Sequence, residues 1–100
     1  MLPINTFVQY KTDSEVLYGF IDSIYTVETV IMVDIIKCKQ VNDWELVVEE
    51  TLQEYVAVSS LKPTKVPQNV DSFVFPFIQK QTAVVVRSTS IVNFQELKFG

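Results

Sequence analysis

The chain has 100 residues, one domain's worth, and can bury about two-thirds of the surface it exposes when unfolded. It has no histidine, one cysteine (Cys38) and two separated glycines, Gly19 and Gly100. That excludes a Ser-His-Asp triad, a Cys-His pair, a histidine-bearing or four-thiolate metal site, a P-loop and a dinucleotide fingerprint. Twelve acidic against eight basic residues give a net charge of −4, and Arg87 is the single arginine, which disfavours direct nucleic-acid binding.

Valine, isoleucine, threonine, tyrosine and phenylalanine dominate, so the composition favours pleated, half-buried surfaces. Ile4–Tyr10 reads as a first strand, Lys11–Glu15 as a polar connection and Val16–Tyr25 as a second strand. Gly19 within that strand predicts a bulge or a close backbone approach, a bend point of a curled sheet. Thr29–Cys38 carries β-branched residues on both faces and is expected to lie centrally.

The segment after the Asn42-Asp43 turn signal has two readings. Trp44, Leu46 and Val48 alternate as in a strand, the favoured reading for Trp44–Glu49. Yet Trp44, Val47, Val48, Thr51, Leu52 and Tyr55 also form a helical face, and Asn42 with Glu45 resembles a capping box. The alternative is therefore an α+β fold with one helix at about 43–54.

Tyr55–Val58 reads as a short strand ending in the turn-like Ser59-Ser60-Leu61-Lys62-Pro63, and Pro63 and Pro67 bracket a surface connection. Phe73–Ile78 is extended and contains Pro76, which predicts an edge strand or a bulge. Thr82–Arg87 and Ile91–Phe94 complete the strands, leaving a short polar tail. The expected fold is mainly β: a small SH3-like barrel, closed or nearly so, or a curled antiparallel sheet of five to seven strands.

Carboxylate and lysine chemistry is what remains for a catalyst. Asp22 and Asp34 lie on neighbouring strands and could pair as acid and base, although two solvated carboxylates are the plainer expectation. Ser59, Ser60 and Lys62 form a Ser-Lys combination in a turn, with nothing to depress the lysine pKa. No cofactor is expected.

Two surface features stand out more. Asp43, Glu45, Glu49, Glu50 and Glu54 give residues 43–54 a local charge of −5, whereas 55–100 holds five basic and two acidic residues. Such asymmetry steers a basic partner or promotes head-to-tail self-association. Phe73, Phe75 and Phe77 alternate, so one strand face would carry all three rings, as core if inward and as an interface if outward. Tyr10, Tyr18, Tyr25, Trp44 and Tyr55 could build an aromatic cage for methylated lysine if several met on one rim.

The sequence therefore predicts a non-enzymatic protein–protein interaction module. Its candidate partner-binding residues are Phe73, Phe75, Phe77, Glu45, Glu49 and Glu50, on an acidic surface and an aromatic edge strand. A homo-oligomeric structural or accessory protein, for example from a mobile element, is the second reading. The lone thiol, the absence of a signal-like N-terminus and the lack of a long apolar run predict a cytoplasmic or nuclear protein that does not enter membranes.

Overall fold

The computed structural model describes residues 3–11, 13–78, 81–84, 94 and 98–99. Its strands are β1 (Phe7–Lys11), β2 (Val16–Val27), β3 (Val30–Asn42), β4 (Glu45–Ala57), β5 (Leu61–Pro63), β6 (Ser72–Phe75), β7 (Gln81–Val84) and β8 (Lys98–Phe99). A 3-10 turn at Val58–Ser60 joins β4 to β5. No helix among the described residues is long and apolar enough to cross a membrane.

All eight strands belong to one sheet, ordered β5-β1-β2-β3-β4-β6-β7-β8. The mainly β class and the curled sheet are as the sequence predicts, and β3 is central. Two details differ. The β4–β6 pair is parallel, with Leu46 opposite Phe73, so the sheet is mixed. It is also open, with β5 and β8 at its ends. The strand expected at Ile91–Phe94 lies, apart from Phe94, outside the described residues, as do Val85–Arg87 at the end of the strand before it.

The sheet buries both faces, and its central strands are apolar on both sides for that reason. In β1, Phe7 points into one core while Val8 and Tyr10 point into the other. Phe20 and Ile21 divide in the same way in β2. The inner core, formed where the long strands curl, gathers Val8, Tyr10, Ile21, Val33 and Ile35. The outer core is closed by the C-terminal half: Val66, Val70, Phe73, Phe75 and Ala83 pack there with Phe7, Phe20, Leu46 and Val48. Its aromatic centre is tight, with Phe73 5.6 Å from Phe7 and 5.4 Å from Phe20 between ring centroids. Phe94 reaches the same cluster, 5.2 Å from Phe20 and 5.5 Å from Phe75.

Bulges supply the curl. The β2–β3 register shifts between Ile21 and Ser23, leaving Asp22 without an opposite residue. The β3–β4 register shifts at three places, the first between Val33 and Ile35. Each extra residue bends its strand and raises the local twist. Gly19 is three residues before the β2 bulge residue Asp22 rather than in the bulge. It serves the other expected role, a close approach, since a Cβ there would run into Ile35 Cγ2 and the Ile36 carbonyl.

The segment with two readings is a strand over Glu45–Ala57, so the helix alternative at 43–54 is corrected. Asn42 and Glu45 do interact, but across a hairpin. Asn42 Oδ1 accepts the Trp44 amide at 3.0 Å, and its Nδ2 donates to Glu45 Oε1 at 2.8 Å. An Asx turn thus uses the spacing that a capping box would use. The outer core then takes Leu46 and Val48 from one face of β4.

Candidate functional site

The length of β4 leaves a long stretch of its second edge unpaired among the described residues. Its 13 residues pair with β3 from Glu45 to Ala57, but β6 covers only Glu45–Val47 on the other side. From Val48 onward no strand among the described residues pairs with that second edge. The cause is local. Pro76, the first residue past β6, has no N–H to continue a ladder, and the chain turns away there. The Ile78 amide donates to the Phe75 carbonyl at 3.1 Å, and the Gln81 amide to the Ile78 carbonyl at 3.0 Å.

A groove of about 640 Å³ opens where β6 leaves β4, lined by Val47, Glu49, Glu50, Thr51, Pro76 and Phe77 among others. Three of the residues singled out from the sequence therefore meet: Glu49, Glu50 and Phe77. Glu50 is exposed, and Phe77 keeps 41% of its surface in solvent. Glu49 is partly engaged, 3.9 Å from Lys37 Nζ and accepting the Thr51 hydroxyl at 3.4 Å. An ion pair that long and exposed contributes little. The groove stays acidic.

The other predicted residues lie elsewhere. Phe73 and Phe75 are fully buried in the outer core, and their strand is internal, between β4 and β7. The expectation of an aromatic edge strand is thus corrected: proline stands just outside the strand, so the ladder itself needs no edge. Phe75 touches Phe77 at 6.2 Å between centroids, linking core to groove. Glu45 is bound in the Asn42 hairpin turn, away from the groove.

The chemical combinations considered from sequence do not assemble. Asp22 is exposed at its bulge, whereas Asp34 accepts hydrogen bonds from Ser23, Tyr25 and the Tyr55 amide. Ser59, Ser60 and Lys62 are all exposed. Cys38 is buried, and burial with nearby Glu49 pushes its thiol pKa upward, away from the thiolate that nucleophilic chemistry needs. The aromatic set disperses too: Tyr10 is buried, Tyr18 stacks on Phe7 and Trp44 is exposed in the β3–β4 turn. Only Tyr25 and Tyr55 meet, at 6.1 Å.

Tyr10 is the polar group that sequence reasoning could not place. It is 2% exposed, and its hydroxyl has no hydrogen-bond partner among the described residues. Burial, with Cys38, Glu49 and Glu15 nearby, raises its pKa from 10.0 to about 12. Because burial disfavours the phenolate, this group leaves stability unchanged below pH 10 and lowers it as pH climbs through about 12. Tyr10→Phe should therefore stabilise the protein by roughly 1 kcal/mol at neutral pH by removing an orphaned hydroxyl. It should also flatten the decline in stability between pH 10 and 12. Urea titrations at several pH values would check both, and a variant less stable than the parent at pH 7 would show that the hydroxyl is satisfied.

Compared with protein-family models, curated proteins and solved structures, the chain shows no match.

Proposed function

We propose that this chain is a non-enzymatic protein–protein interaction module that accepts a basic, extended segment as an added strand on the open edge of β4. The observation that supports this most is the edge itself, which runs on from Val48 beside the groove of Glu49, Glu50 and Phe77. Strand addition draws affinity from main-chain hydrogen bonds and specificity from pockets for alternate side chains. Here Phe77 and Pro76 offer an apolar anchor, and Glu49, Glu50 and Glu54 favour lysine or arginine.

The order β5-β1-β2-β3-β4, with a 3-10 turn before β5, supports reading the first five strands as an SH3-like unit. β6 and β7 then extend that unit and close its outer core. A reducing compartment, cytoplasm or nucleus, belongs to the same reading and rests on the lone buried thiol.

Homo-oligomerisation through the same edge is less favoured. A two-fold pairing of β4 edges would bring copies of Glu50 and Glu54 together, and like charges across a strand pair destabilise it. Sedimentation at several concentrations checks this, with a monomer expected.

The binding test uses a six-residue peptide of alternating lysine and valine, titrated by calorimetry at low salt. Glu50→Lys and Phe77→Ala should each weaken binding about tenfold. N-methylation of alternate peptide amides should abolish it, because the ladder loses its donors. Added salt should weaken it further. Equal binding by parent and both variants, or by the methylated peptide, would rule out strand addition here.

A further inference from the structure

A second polar feature lies further along β4, five residues past Glu50 and at most roughly 17 Å away at strand spacing. The β3–β4 register passes from Val33 opposite Val56 to Ile35 opposite Gln53, so Asp34 alone faces Glu54 and Tyr55. The extra residue forces Tyr55 into the left-handed region at φ 58°, an outlier for a bulky side chain. Its amide turns onto Asp34 Oδ1 at 3.3 Å. Tyr25 Oη donates to the same oxygen at 2.7 Å, and Ser23 Oγ to Oδ2 at 3.2 Å. The Tyr25 and Tyr55 rings stand at 86° to one another, and Tyr55 is 67% exposed.

This arrangement has a defined electrostatic character. Oδ1 already accepts from two donors, while Oδ2 accepts from one and keeps a lone pair for another. No lysine or arginine among the described residues forms an ion pair with Asp34. A carboxylate with no counter-ion among the described residues thus sits beside two electron-rich rings that meet in a corner. Such a corner attracts a cation.

The spare lone pair selects among cations. A quaternary ammonium has no hydrogen to donate to Oδ2. A lysine ammonium could donate, but does not stack. A guanidinium can lie flat on an exposed tyrosine ring while its N–H fork reaches the carboxylate.

We propose that the Asp34–Tyr25–Tyr55 corner binds the guanidinium of an arginine side chain. That the arginine belongs to the extended partner on β4 rests on the function proposed above; the corner's affinity for guanidinium does not.

N-acetyl-arginine amide is a suitable probe because it is too short to add a strand. Titrated into the 100-residue chain and followed by NMR, it should shift the ring resonances of Tyr25 and Tyr55 and saturate. N-acetyl-lysine amide should bind at least about threefold more weakly, and N-acetyl-norleucine amide should leave the rings unmoved. Tyr55→Phe keeps the ring and should keep the response. Tyr55→Leu and Asp34→Asn should each weaken it about fivefold or more. Should Asp34→Asn fail to fold, Tyr55→Leu at an exposed position still decides. Absent ring shifts, equal shifts from arginine and norleucine, or an unchanged response in Tyr55→Leu would overturn the assignment. Failure of the lysine–valine peptide to bind would count against the β4 edge and leave this site standing.

Discussion

Gly19→Ala should lower stability by about 3 kcal/mol or more, the upper range of overpacking costs in a closed core. For a chain of this length that corresponds to a fall of at least roughly 12 °C in the thermal midpoint. The position is conformationally ordinary; space is what it lacks. Gly19 pairs with Val8 on β1 and Lys37 on β3, so backbone flanks it on both sides. An added Cβ would run into Ile35 Cγ2 and lie 2.5 Å from the Ile36 carbonyl oxygen. The first collision involves a fully buried side chain, and the second involves backbone that cannot rotate away. Ile35→Ala in the same chain would remove one obstacle and leave the other, so the double variant should remain less stable than Ile35→Ala alone. Thermal denaturation followed by circular dichroism measures this. A single variant melting within a few degrees of the parent would mean that the sheet opens at Gly19 more readily than its packing implies.

Phe73→Ala should cost about 3–5 kcal/mol, the range for a fully buried aromatic ring. Its ring is the hub of the outer core, meeting Phe7 at 74° and Phe20 at 56°. It also stands opposite Leu46 in the parallel β4–β6 pair, so its loss weakens the attachment of the C-terminal half. Phe77→Ala, two residues beyond the strand, should cost no more than about 1 kcal/mol because that ring is already partly in solvent. The comparison separates two roles that alternation alone makes look alike. Chemical denaturation of both variants would check it. Equal losses would place Phe77 in the core and remove it from the proposed groove.

The proposed edge also makes sense of where charge sits. An exposed strand edge invites aggregation unless it is short, charged or covered. On β4 the run beyond β6 carries Glu49, Glu50 and Glu54, which discourage pairing with another copy. The same charges leave the edge open to a basic segment. On the proposed reading, one arrangement would both discourage self-pairing and select a basic segment.

Much of this protein is written in its local chemistry. Mainly β composition, the central position of the segment through Val33 and Ile35, and the turn after Val41 follow from side-chain shape and from β-branched residues on both faces. Those properties act between neighbours and survive any choice of partner. The tertiary structure decided what depends on partners. Asn42 and Glu45 suit a helix start as well as a hairpin, and only β3, supplying a ladder beside Glu45–Ala57, selected the strand. Pro76 marked the end of a strand, but whether β6 lay at an edge depended on β4 and β7 pairing with it. The meeting of Tyr25, Asp34 and Tyr55 required three strands and the extra residues of two bulges, and a bulge is a mismatch between strands that neither strand encodes alone.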